Sequence, residues 1–229
     1  YSGHYPYSQG RKEMQELHNS QPIFSEIPRL TTINHVETGY TNEVFPKVGF
    51  YLLTVTYYDT YNYPNAPHVP TTLPDSTLPI IENVKGLVTG SWVRVLTSGG
   101  EFLAETSYNF YDTKFRPVRS YTKNHLGGFT QIDSKLDWAG KTEYTTTWHK
   151  RNSSGYDFYT KDSFEYSNQD RLIKHYHQID SEPEQLLTLN SYDELGQLLN
   201  KKVGGIDLTG ANAFQNVDYS YNIRGWLKS

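Results

Sequence analysis

Two histidines one residue apart, His175-Tyr176-His177, are the side chains in this 229-residue chain most suited to binding a metal. On a strand, residues i and i+2 share a face, so both imidazoles would point the same way. Zinc needs two further ligands, or one ligand and a water. Asp180 and Glu182 are the nearest downstream carboxylates, but a turn before them would aim them elsewhere. Without them the pair is an ordinary exposed strand face, and that is the expectation. Carboxylates are numerous enough for a glycosidase pair. However, Asp112, Asp137 and Asp193 each sit in a pattern with another explanation. The sequence has no Gly-x-Ser-x-Gly elbow and no glycine-rich phosphate loop ahead of a helix. Gly127-Gly128 and Gly204-Gly205 have the composition of turns. Trp92, Trp138, Trp148 and Trp226 would serve a sugar or a protein partner if exposed; packing between strands is the expected role. The residues therefore predict no catalytic centre, metal or cofactor.

Composition constrains the elements that carry these residues. Only 36% of the chain is hydrophobic, yet 15% is aromatic, with 20 tyrosines and 10 phenylalanines. Aromatic residues favour strands and bury a large area each, so a core is possible but must be thin or spread out. A net charge of −4 argues against nucleic acid, which needs a basic stripe. There is no cysteine, which removes disulfides and thiolate metal sites. No apolar run reaches the length of a membrane-spanning helix.

One short pattern recurs: an aromatic or apolar residue, then Asp, Asn or Ser, two variable residues and usually Gly. The copies begin at Tyr58, Tyr111, Leu136, Tyr166, Tyr192 and Tyr221. They stand 53, 25, 30, 26 and 29 residues apart, so the first step predicts an expanded or degenerate copy inside it. The second residue of each copy, Asp59, Asp112, Asp137, Ser167, Asp193 or Asn222, can bond the backbone two residues on. The last residue is Gly140, Gly196 or Gly225 in three copies, suited to a left-handed conformation. Asn62 and Asp170 are expected to replace Gly at modest cost, whereas Phe115 fits that position poorly. The flanks alternate with period two, as in Thr142, Tyr144, Thr146 and Trp148. Each copy is thus predicted to join two antiparallel strands, with stacked hairpins sharing one sheet. Residues 1–49 lack the repeat and are expected to be an irregular lead-in, with a short helix over Arg11–His18. Residues 50–229 form the repeat region, and the prolines of 63–79 predict an extended surface loop.

Tyr-Asp-x-x-Gly copies every 25 to 30 residues resemble the YD repeats of Rhs proteins and teneurins. Tyr219-Ser220-Tyr221-Asn222-Ile223-Arg224-Gly225-Trp226-Leu227 is similar to Rhs-family sequences of Gram-negative bacteria with outer-membrane secretion systems. Lys85 to Leu96 resembles the region preceding such repeats. The resemblance covers roughly residues 50–229. It implies an all-β fold of antiparallel hairpins in a continuous spiralling sheet, closing into a hollow shell around a variable C-terminal toxin. No residue here matches the self-cleaving, Asp-Pro-containing core of that family, so what carries over is the wall at the six turns and no catalytic group.

The chain opens at Tyr1 without a leader and stops four residues after Gly225. The expectation is a piece of a larger exported protein, secreted or at the cell surface. Its expected partners are the remainder of its own chain, the enclosed cargo and outer-membrane secretion machinery, with no nucleic acid and no transmembrane span. The alternative is an adhesin or carbohydrate-binding β module.

Overall fold

The computed structural model describes residues 2–4, 10–71, 73, 78–99 and 102–228. The protein is all-β and antiparallel, with one short helix, α1 (Arg11–Asn19). The chain falls into two compact units, Tyr1–Gly127 and Gly128–Ser229.

In the first unit the strands are β1 (Ser2–His4), β2 (Thr32–Ile33), β3 (Val36–Glu37), β4 (Tyr51–Tyr58), β5 (Val88–Val95), β6 (Leu103–Tyr111) and β7 (Pro117–Lys123). β1, β4, β5, β6 and β7 pair antiparallel in that order, and β2–β3 is a separate two-stranded hairpin. In β4 Leu52, Val55 and Tyr57 are buried, and with Ile33 and Phe50 they form the core cluster. The expected seam at residue 49 is therefore not where the chain divides. β1 pairs with β4, and Ile33 supplies apolar surface to Phe50 and Leu52 across that position. Helix α1 is one residue longer than predicted and buries no side chain; the Gly10 amide donates to Glu13 Oε2 at its start.

The proline-rich segment does more than cover the surface. Tyr63 lies over Gly90, where a Cβ would stand 2.3 Å from the tyrosine hydroxyl, and that hydroxyl donates to the Thr89 carbonyl at 2.9 Å. Its ring stacks on Tyr57 at 4.1 Å and faces Tyr108 at 6.1 Å. Tyr40 and Tyr121 extend the ladder at either end. Leu73 and Ile80 are also buried. Prolines forbid regular pairing here, but they leave the side chains free to pack.

In the second unit the strands are β8 (Gly127–Leu136), β9 (Thr142–Asn152), β10 (Asp157–Tyr166), β11 (Leu172–Ile179), β12 (Gln185–Tyr192), β13 (Leu198–Val203) and β14 (Gln215–Asp218). Their order in the sheet is their order in the chain. Among the described residues of this unit the buried hydrophobic side chains are Tyr176 and Leu186. The core is as thin as the composition implies, so cohesion rests on the strand ladders and on contacts between hairpins.

Candidate functional site: the hairpin turns and their links

Five turns share one geometry. At Asp112, Asp137, Ser167, Asp193 and Asn222, the first residue's amide donates to the carbonyl of the residue four on, at 2.8–3.0 Å. The fourth residue's amide donates back to the first carbonyl. The side-chain oxygen of the first residue accepts the amide of the fifth, which is Arg116, Lys141, Arg171, Gln197 or Trp226. A short polar side chain is needed because one oxygen must reach back over the turn. The fourth residue is left-handed throughout, with φ of 61° at Phe115, 102° at Gly140, 63° at Asp170, 83° at Gly196 and 78° at Gly225. Phe115 thus takes the conformation that its side chain disfavours. Asp112 offsets the strain with bonds to the amides of Lys114 and Arg116 and to the Arg116 guanidinium. Burial of the Asp112 carboxyl opposes ionisation, but those donors outweigh it and hold its pKa below the usual range. At Asp137 the opposing desolvation is likewise outweighed, by the Lys141 and Gly140 amides and the Lys141 ammonium.

The first copy departs from the expectation. Asn62 is not the fourth residue of a tight turn; its amide donates to Thr60 Oγ1. That position belongs to Gly86, at φ 83° and 27 residues beyond Asp59, whose Oδ1 accepts the Gly86 amide. The Asp59 amide donates to Leu87, the counterpart of Arg116. A long loop has been spliced into the hairpin end, with Asp59 itself left-handed at φ 68° and the Leu87 amide turned to the Val84 carbonyl. Removing it brings the 53-residue step down to the length of the others. The segment expected to precede the repeats, Lys85 to Leu96, is therefore the second half of the first one.

In three copies the opening tyrosine has a role that the sequence pattern did not reveal. The Tyr111 hydroxyl donates to the Val88 carbonyl at 2.7 Å, Tyr192 to Leu172 at 2.8 Å and Tyr221 to Leu198 at 3.0 Å. Each acceptor is the residue two beyond the fourth turn position of the preceding copy. Asn109 and Asn190, two residues ahead of their tyrosines, donate to the same carbonyls. The fifth turn residue completes the link. Lys141 pairs with Asp170, the fourth residue of the next turn, and lies 5.4 Å from the Tyr166 ring. Arg171 lies over the Tyr192 ring and against Gly196; Gln197 lies against Gly225.

The histidine pair is committed elsewhere. His175 Nε2 and His177 Nδ1 lie 2.8 and 2.9 Å from one oxygen of Asp162 on the adjacent strand. Asp180 instead accepts the Tyr159 amide, so the turn does carry it away from the histidines. Among the described residues, no group of three or more His, Cys, Asp or Glu is placed to hold a metal ion. Asp162 was legible only through the register of β10 and β11, which sets it opposite His177. Of the tryptophans, Trp92 packs on the first unit's core, as expected, while Trp148 meets its cross-strand neighbour Tyr159 but stays 43% exposed. Trp138 and Trp226, the second and fifth residues of their turns, do not pack between strands as expected: they are 85% and 65% exposed. Among the described residues no helix is long and apolar enough to cross a membrane. Compared with known protein families and characterised proteins, the sequence matches none.

Proposed function

We propose that this chain is a structural wall segment of a large secreted or cell-surface protein of the YD-repeat, Rhs-like kind, forming part of a shell around a C-terminal, toxin-like cargo. The observation that carries the reading is the fate of the repeated residues. The turn carboxylates bind their own backbone, and Tyr111, Tyr192 and Tyr221 bind the carbonyl of the preceding hairpin. Side chains spent on linking one hairpin to the next make an extendable sheet rather than a reactive centre. The role calls for no catalytic group, metal or cofactor. Its partners are other parts of the same polypeptide, the cargo and the machinery that exports both. The discriminating experiment reads the coding sequence beyond Ser229 and purifies the encoded protein. Further Tyr-Asp copies, followed by an unrelated tail that resists protease until the protein is denatured, are expected. A stop codon at that point, with a stable soluble monomer, overturns the proposal. A second reading, a glycan-binding β module, is favoured by one specific observation, an aromatic cleft in the first unit.

A further inference from the structure

Two adjoining hollows of about 430 and 650 Å³ open on the face of β5, β6 and β7. Both fall within the range of small-molecule sites, about 300–1,000 Å³. Asn65, Trp92, Phe102, Thr106 and Tyr108 line both of them. Strand register sets Trp92, Thr106 and Lys123 side by side in one cross-strand row, with neighbours about 5 Å apart. Tyr108 and Tyr121 form the next row, their ring centroids 6.0 Å apart. Tyr108 is buried between Tyr63 and Tyr121, so the aromatic surface of the floor is that of half-buried Trp92, beside a hydroxyl and an ammonium. Phe102 makes a wall. It is 55% exposed, yet it is held between the Arg94 guanidinium, 4.6 Å from its centroid, and the His35 ring, edge-on at 5.3 Å.

The Thr106 hydroxyl, the Lys123 ammonium and the Asn65 carboxamide make no hydrogen bond or ion pair among the described residues. A wholly apolar ligand would cover these three groups and leave them unpaired, at a cost. A polyanion would find one lysine on the row and Glu37 on the rim of the smaller hollow. A hexose suits both halves. Its axial C–H bonds present a weakly positive face to the negative face of an aromatic ring, and its rim of hydroxyls both donates and accepts. We propose that this cleft is a carbohydrate site, seating one hexose unit of a glycan on Trp92 with its hydroxyls bonded to Thr106, Lys123 and Asn65. It gives the glycan-binding reading a location. It is compatible with a wall segment whose outer or inner face meets a polysaccharide.

The test titrates the whole chain with oligosaccharides of glucose, galactose, N-acetylglucosamine and a hexuronic acid, followed by tryptophan fluorescence and amide NMR shifts. Saturable binding of at least one probe is expected, with shifts centred on Trp92, Phe102, Thr106, Tyr108 and Lys123. Thr106→Val and Lys123→Ala, whose folding is checked by circular dichroism, should each weaken it about tenfold, the loss of one good hydrogen bond. A larger effect of Lys123→Ala on the uronic acid than on neutral probes would place a carboxylate at the ammonium; equal effects would place a hydroxyl there. Absence of saturable binding by every probe overturns the proposal, as does binding undiminished in Thr106→Val and Phe102→Ala alike. Either result would leave the wall reading standing.

Discussion

Gly196→Ala is the substitution that probes the hairpin links most sharply, and its cost should depend on a residue in another turn. Gly196 is left-handed, at φ 83°, where a side chain costs about 1–2 kcal/mol. A Cβ there would stand 2.0 Å from Arg171 Nη2 and 2.2 Å from its Cζ, so the guanidinium must leave its place over the Tyr192 ring, losing about 0.5–1 kcal/mol. Removing a glycine also restricts the unfolded chain, which returns about 0.4–1 kcal/mol. The net expectation is a destabilisation of about 1–2 kcal/mol. In an Arg171→Ala background the steric part vanishes, and the same change should cost about 0.5–1 kcal/mol less. Urea denaturation of the wild type, both single variants and the double variant, followed by far-ultraviolet circular dichroism, measures all four corners of the cycle. A cost identical in both backgrounds would show that Arg171 does not cover Gly196. A negligible cost in both would show that the turn is misassigned.

Tyr192→Phe removes only the hydroxyl bonded to Leu172; it should lower stability by about 1 kcal/mol, while Tyr219→Phe, whose hydroxyl has no partner among the described residues, should not shift the urea midpoint. Gly90→Ala should displace Tyr63 from the ladder at a cost of about 1–3 kcal/mol, seen as loss of the Tyr57–Tyr63 ring-current shifts in the NMR spectrum. Burial pushes the Tyr57 phenol up to about 12, with smaller contributions from Tyr40 and Tyr108, and raises Tyr63 as well. Because these folded-state values lie above the unfolded one, the ladder's contribution should be complete below pH ~10 and be lost as pH rises towards 12, tracked by phenolate absorbance alongside circular dichroism.

The turns were legible because their chemistry is local. Asp137, Gly140 and the bonds that join them lie within five residues, and the same holds at Asp193 and Asn222. Asn62 misled because the loop after Asp59 hides the true fourth residue, Gly86; the doubled step was the only trace of it. The Phe115 side chain alone argues against its position; the bonds that Asp112 gathers around it are what the residue type does not show. The tyrosine links were out of reach because donor and acceptor are some 20 residues apart in sequence. A hint was present: Tyr opens five of the six copies, where Phe would bury equally well but could not donate. The packing of Ile33, Val36, Tyr40 and Tyr63 onto β4, and the aromatic cleft beside it, depend on long-range register that no local pattern encodes.

Electron cryomicroscopy of the complete protein, purified from its natural source, tests the wall segment most directly. The account predicts that the hairpins from β8 to β14 continue into further hairpins of the same kind, with opening tyrosines that bond the preceding copy's carbonyl as Tyr192 and Tyr221 do, in a sheet curved around enclosed polypeptide. Hairpins standing as a separate module with solvent on both faces, and no enclosed chain, would contradict it.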